Sequence, residues 1–282
     1  MGGLLTVPIH PLDKYRHGEK PYAIVTGATD GIGKALAFEL ARHNINVVIH
    51  GRNPEKLKRV QGEIIEIYPT VDVQTVVLDA ATTPCPNVVM DVVKDLRVTI
   101  LINCLGIVGD GAYQPFEQDM DDSIQAMMNA NTLFPTFLTR HLLPQLQQAA
   151  PSLILNLSSG AAIANPPFLA PYAGSKAYNL AFSHALFNEM KYLKTNVHVL
   201  AVLVGEVNSA ANKSPVSLFC PSSADYAKTL LERIGQEGPV ITGNWQHGLQ
   251  IKFIELVPYW IVDYLLMCRT HNKRRIESSN EK

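Results

Sequence analysis

One doubly wound α/β domain is the fold class that this sequence predicts: a parallel sheet of about seven strands with helices on both faces. Three observations carry it. Short runs rich in Val and Ile alternate with longer helical patterns along the chain. Several of those runs are apolar throughout, as in strands covered on both faces. No internal repeat or low-complexity linker divides the 282 residues, and a hydrophobic fraction of 47% against 17% charged supplies one substantial core.

The first strand is expected at 22–27 (YAIVTG), followed by the helical pattern GKALAFELARHN. The second, NVVIH at 46–50, precedes the helical pattern PEKLKRVQGEIIEIY. VQTVVLD (73–79) and VTILIN (98–103) supply the third and fourth strands, and one long helix is expected from about Glu117 to Gln148. SLILNLSS (152–159) is the fifth strand. In the helix at 172–193, apolar residues recur at Leu180, Phe182, Leu186 and Phe187. VHVLAVLV (197–204), the helix SADYAKTLLERIG and a short PVIT (239–242) complete the alternation.

Charge and cysteine usage exclude several classes. A net charge of −1 offers no basic excess for nucleic acid. Cys85, Cys104, Cys220 and Cys268 are scattered, with neither metal spacing nor a disulfide framework, which suits a reducing compartment. The N-terminus has no apolar run of a secretory signal, but Met1-Gly2-Gly3-Leu4-Leu5-Thr6 fits the N-myristoylation pattern.

After the first strand comes Thr26-Gly27-Ala28-Thr29-Asp30-Gly31-Ile32-Gly33, running into a helix. Glycines permit a tight turn and close approach of backbone to a pyrophosphate, while the helix N-terminus offers N–H groups and partial positive charge. In this position, after the first strand of a βαβ array, the loop predicts dinucleotide binding. The end of the second strand reads His50-Gly51-Arg52-Asn53, with Lys56 one turn on. A carboxylate there would select NAD; its absence, with the planar fork of Arg52, favours NADP(H).

Tyr172 and Lys176 stand four apart on a predicted helix and share a face. Such a pair arises by chance, so it needs context. The context is a set in order along the chain: T-G-A-T-D-G-I-G at 26–33, Asp79, N-C-L-G at 103–106, Asn131, N-L-S-S at 156–159 and Y-A-G-S-K at 172–176, with Ser159 thirteen residues before Tyr172. Over roughly residues 20–245 this resembles the short-chain dehydrogenase/reductases, a Rossmann-type family. It is closest to the branch of very-long-chain 3-oxoacyl-CoA reductases and membrane-associated 17-beta-hydroxysteroid dehydrogenases. The resemblance implies that Tyr172 exchanges a proton with the substrate and that Ser159 donates to its carbonyl oxygen. Lys176 would hold the nicotinamide ribose and favour the phenolate, and Asn131 would position a water. It further implies an adenine contact at Asp79, a cofactor pocket shaped by Asn103 and Gly106, and carboxamide contacts at Val207 and Ser209. Chemically, ketone reduction needs a hydride on carbon and a proton on the alkoxide, and a cation near a phenol lowers its pKa.

Two departures stand out. Cys104-Leu105 replaces the middle of the family's N-N-A-G element and reads as packing, and Val204-Gly205 lacks the family's proline, leaving that turn less constrained. The expected organisation is an extension at 1–20, a dinucleotide-binding catalytic domain at 21–245 with a substrate loop near 205–221, and an amphipathic, basic tail at 246–282. LVPYWIVDYLLM within the tail is too short to span a bilayer. Its aromatics and the following Arg269, Lys273, Arg274 and Arg275 suit either peripheral attachment, on the cytoplasmic side of the endoplasmic reticulum, or docking on protein. The expected activity is NADPH-dependent reduction of a lipophilic ketone, foremost a 3-oxoacyl-CoA. The alternatives are a steroid or specialised-metabolite ketone, or a non-catalytic NADP-binding interaction protein. A homodimer through the 172–193 helix follows by analogy alone, and no metal is expected.

Overall fold

The computed structural model describes residues 10–109, 113–210, 212–235 and 238–280, the last without the side chains of 273 and 275–280. The Met1–Thr6 pattern therefore lies outside the described residues. Seven strands form one sheet in the order β3-β2-β1-β4-β5-β6-β7. They are β1 (Pro21–Val25), β2 (Asn46–Gly51), β3 (Val73–Val77), β4 (Arg97–Asn103), β5 (Ser152–Ser159), β6 (Val197–Val204) and β7 (Val240–Thr242). Every pairing is parallel. The order reverses between β1 and β4, so the crevice beyond their carboxyl ends is where a ligand site belongs.

Alternation along each strand sends side chains to two cores. Val25, Ile49, Ile102 and Leu155 face α1 (Gly31–Arg42), α2 (Pro54–Ile67) and α8 (Ser223–Glu232) through Leu36, Leu40, Leu57 and Leu230. Ile24, Val48, Leu101 and Ile154 face α3 (Asn87–Val93), α5 (Phe134–Gln148) and α7 (Ala170–Tyr192) through Val93, Leu138, Leu142 and Leu186. Burial of every residue in β1 and β2, and of all but Arg97 in β4, explains why those strands read as largely apolar runs.

The single long helix expected from Glu117 is instead three pieces. A 3-10 turn at Phe116–Gln118 is followed by α4 (Asp121–Met128), and a π turn at Asn129–Leu133 leads into α5. Pro135 explains the break: it has no N–H for the Asn131 carbonyl, and its ring crowds that carbonyl. The chain widens locally, with the Phe134 N–H bonding Asn129 five residues back. The widened turn carries Asn131.

The helix α7 starts at Ala170, with Pro171 in its first turn, and α6 (Ala161–Ala164) is a short addition after β5. The tail forms two helices, α9 (Trp245–Leu256) and α10 (Tyr259–Asn280), separated at Val257–Pro258 because proline cannot continue α9. His247, Ile251, Val262 and Thr270 are buried, so both helices pack onto the domain. Leu12 and Tyr15 of the N-terminal 3-10 turn are buried as well. Among the described residues no helix is long and apolar enough to cross a membrane.

Candidate active site

The glycine loop joins β1 to α1. Gly27 and Gly31 have φ of +68° and +52°, which favour glycine. Gly33 is needed for a different reason: a Cβ there would lie 2.3 Å from the Gly27 carbonyl oxygen. Thr26 fixes the neighbouring strand end, its Oγ1 accepting from the N–H groups of Cys104 and Leu105 at 3.0 and 3.1 Å. Asp30 caps α1, its carboxylate accepting from the Gly31 N–H at 2.6 Å. Ile32 packs against the core, while Ser209 comes over the loop: a Cβ on Gly31 would be 3.1 Å from the Ser209 Cβ. The result is a cradle walled by backbone at a helix N-terminus, which fits a pyrophosphate.

At the far end of the cradle Arg52 and Lys56 are exposed, and among the described residues neither pairs with a carboxylate. Asp79, after β3, turns its Oδ1 to the Ala81 N–H at 3.0 Å and shapes the loop beside them. His50, which the sequence marks only by the absence of an acid at this position, organises this end. Its Nδ1 accepts from the Gly27 N–H at 3.4 Å, its backbone carbonyl from the Ala28 N–H at 2.9 Å, and its Nε2 donates to the Leu78 carbonyl at 3.1 Å.

Burial holds the His50 imidazole neutral, with its pKa down from 6.5 to about 4, although the Leu78 carbonyl and Asp79 oppose the shift. A depressed pKa means that the unfolded chain takes the proton first. His50 therefore contributes stability that is complete above pH 6.5 and is lost as the pH falls through about 4. By pH 5 the loss from this group is about 2 kcal/mol. Urea unfolding at pH 7 and pH 5 measures the loss of stability. An NMR titration of the ring assigns it, and a His50 pKa at or above 6.5 would refute the assignment.

Beneath the cradle the catalytic candidates converge. Ser159 ends β5, while Tyr172 and Lys176 occupy successive turns of α7. Two bonds clamp α7 to β5: the Ser158 hydroxyl donates to the Lys176 carbonyl at 2.6 Å, and Lys176 Nζ donates to the Leu157 carbonyl at 3.1 Å. Lys176 is only 4% exposed, with Nζ lying 5.8 Å from the centre of the Tyr172 ring. Burial pushes its pKa down to about 8, against the influence of Cys104. Gly106 makes room, since a Cβ there would be 2.9 Å from Nζ.

The Tyr172 phenol departs from expectation. Burial drives its pKa above the ordinary value; a hydrogen bond from Ser159 lowers it in part and Tyr113 adds to the rise. The Lys176 ammonium stands over the ring face and donates to the Leu157 carbonyl. Tyr172 is thus a held proton, a donor rather than a phenolate.

Asn131 is fully buried, and its amide is spent on three bonds. Oδ1 accepts from the Ile107 N–H at 2.8 Å, and Nδ2 donates to the Ile107 carbonyl at 2.8 Å and to Ser175 Oγ at 3.0 Å. It ties the chain after β4 to the first turns of α7. Asn103 departs from its expected place in the cofactor pocket. Strand alternation turns its side chain into a buried network, with Nδ2 donating to Thr139 and to Asn156, and Asn156 donating in turn to Ser183. It supports the floor beneath the site. Burial pushes the Cys104 thiol up to about 12, as suits a packing residue.

The turn after β6, lacking proline, is held by His247 of α9. The ring accepts from the Gly205 N–H at 3.1 Å through Nδ1 and donates to the Glu206 carbonyl at 3.2 Å through Nε2. Nothing in the local sequence announced this contact, which spans 42 residues. Val207 is buried beyond the turn, and Glu206 pairs with Arg269 of α10 at 2.5 Å. Loop, α9 and α10 thereby enclose a cavity of about 660 Å³ with Ser159 and Tyr172 in its wall.

A family model described as short chain dehydrogenase matches residues 21–217. A very-long-chain 3-oxoacyl-CoA reductase of Caenorhabditis elegans is 32% identical over 266 residues, covering 92% of this chain and 83% of the relative. The very-long-chain 3-oxoacyl-CoA reductase of Homo sapiens is 32% identical over 254 residues, covering 89% and 80%. Among solved structures, one described for 7beta-hydroxysteroid dehydrogenase stereoselectivity superposes with a TM-score of 0.79 at 21% identity. It covers 92% of this chain and 99% of that one, and so shares the fold.

Proposed function

Because the chain belongs to the short-chain dehydrogenase family, we propose that it is an NADPH-dependent ketoreductase acting on a lipophilic carbonyl, foremost a 3-oxoacyl thioester. One observation carries the reading. Ser159 and Tyr172 stand together in the wall of a cavity of about 660 Å³, a size suited to a small-molecule ligand, whose other lining is largely apolar.

The cofactor would lie with its pyrophosphate on the Gly27–Gly33 cradle, its adenosine end beside Asp79, and its 2′-phosphate on Arg52 and Lys56. Ser209 and Val207 would reach its carboxamide end. With NADPH held there, the chemistry it would supply is a hydride for the carbonyl carbon. Ser159 donates to the carbonyl oxygen, and Tyr172, kept protonated by its burial, passes its proton to the developing alkoxide. Lys176 then offers a positive charge beside the phenolate left behind, and its ammonium is placed to hold the ribose. Asn131 is a positioning residue, setting α7 against the end of β4. The partly exposed Tyr178–Phe182 stack on α7 offers a face for a second copy.

The test is loss of NADPH absorbance with purified protein against a panel of 3-oxoacyl-CoAs, keto-steroids and small diketones. Turnover of a 3-oxoacyl-CoA with kcat/KM well above the rest is expected; a keto-steroid in that place would move the substrate class, and no turnover of any ketone would end the reading. Arg52→Glu should raise the KM for NADPH tenfold or more and leave NADH less affected, since it puts a carboxylate where a 2′-phosphate would lie. Equal KM values would remove Arg52 from cofactor selection.

A further inference from the structure

The mouth of the cavity is made of side chains that both line it and are exposed. Phe219 of the 205–221 loop, Leu249 and Phe253 of α9, and Leu265 of α10 are 41%, 55%, 50% and 47% exposed. The apolar surface continues outward from this rim. Val216 and Leu218 extend it on the loop, and Trp245 and Leu256 along α9. Trp260, Tyr264 and Met267 form a further i, i+4, i+7 row on the outward side of α10, away from the Val262, Leu266 and Arg269 side that lines the cavity, and are exposed by 72%, 66% and 60%. Together these residues expose on the order of 1,000 Å² of largely apolar surface around the mouth and along the outward side of α10.

We propose that this face sits in the interface of a lipid bilayer, so that a lipophilic substrate passes between the acyl region and the cavity without crossing water. A protein partner seated on the same face, a second copy included, would cover the mouth that these rim residues frame; a fluid bilayer would feed it. Tryptophan and tyrosine, apolar with one polar atom, suit the headgroup boundary. The contact is interfacial, as none of the described helices can span a membrane.

Among the described side chains, the basic groups beside this face are engaged with the protein; Lys273 and Arg275 of the expected cluster lie outside them. Arg269 is turned to Glu206 and Arg274 stacks over the Phe168 ring at 4.4 Å, so these two members of the expected basic cluster face the protein. Lys252 is paired with Glu255 at 3.1 Å. Attachment by apolar burial should therefore survive salt. The identity of what enters rests on the ketoreductase reading, whereas the docking of the face does not.

The test is flotation of the full chain with zwitterionic phosphatidylcholine vesicles, at low salt and at about 0.5 M salt, where surface charges are screened. Most of the protein should float in both. The triple variant Leu256→Glu/Trp260→Glu/Tyr264→Glu, outside the cavity lining, should partition at least tenfold less while keeping its melting temperature and its rate on a short water-soluble ketone. Its rate on a long-chain ketone carried in vesicles should fall tenfold or more. The proposal is overturned if the wild-type protein does not float, if the variant floats equally, or if flotation needs anionic lipid. It is equally overturned if the three changes instead dissociate a dimer seen by sedimentation. Flotation that depends on these residues, with no ketone turned over, would uphold the docking face and reject the reductase.

Discussion

Tyr172→Phe should lower turnover by about 10² to 10⁴, the range in which a positioned proton donor contributes, while leaving NADPH affinity and thermal stability near their wild-type values. The change removes one oxygen from a half-buried ring and leaves the packing of α7 intact, including the Ser158 and Lys176 bonds to and from β5. What disappears is the proton that burial holds on the phenol. Ser159 still donates to the carbonyl oxygen but has lost the hydroxyl it bonds. Stopped-flow hydride transfer and cofactor titration by nicotinamide fluorescence separate the two effects. Turnover within threefold of wild type would show that the proton comes from elsewhere, and weakened NADPH binding alone would make Tyr172 a cofactor contact rather than a donor.

The parts of this site that local sequence announced are those in which one residue type at one position has one physical use. Gly27, Gly31 and Gly33 fall in a strand-to-helix turn, and Tyr172 and Lys176 share a helix face, so their places followed from spacing. Most strands followed because burial on both faces, complete in β1 and β2, leaves few polar residues to interrupt them. Residues that work across long sequence separation were not legible. His247 holds the Gly205–Glu206 turn from α9, and Asn103 reaches Thr139 and Asn156 rather than the cofactor pocket. Burial was hidden too: in both Tyr172 and Lys176 the largest influence on the proton is lost hydration. The tail left two uses open in sequence for a related reason. Its aromatics and arginines share one segment, but helix geometry turns the aromatics outward and aims Arg269 and Arg274 at the protein.

Gly33→Ala should abolish measurable NADPH binding and lower stability by about 1–3 kcal/mol, the usual cost of forcing a methyl group into packed atoms. Helix propensity argues the other way, since alanine in place of glycine within a helix gains about 1 kcal/mol. The clash decides the sign. The new methyl would lie 2.3 Å from the Gly27 carbonyl oxygen and 2.9 Å from its carbon, both backbone atoms that no rotamer change can move. Gly27 cannot yield freely, because His50 accepts its N–H and that of Ala28 beside it. Either α1 lifts from the loop or the loop opens, and a shift of about 1 Å in positioning groups costs about 10²-fold. Gly62→Ala supplies the control. It lies in α2 with nothing within 4 Å of the added methyl, so only propensity acts, and stability should rise by about 0.5–1 kcal/mol with cofactor affinity unchanged. Urea unfolding and NADPH titration of both variants read the contrast. A Gly33→Ala protein as stable as wild type and still binding NADPH would mean that the loop does not approach α1 this closely, and the cradle as described would not stand.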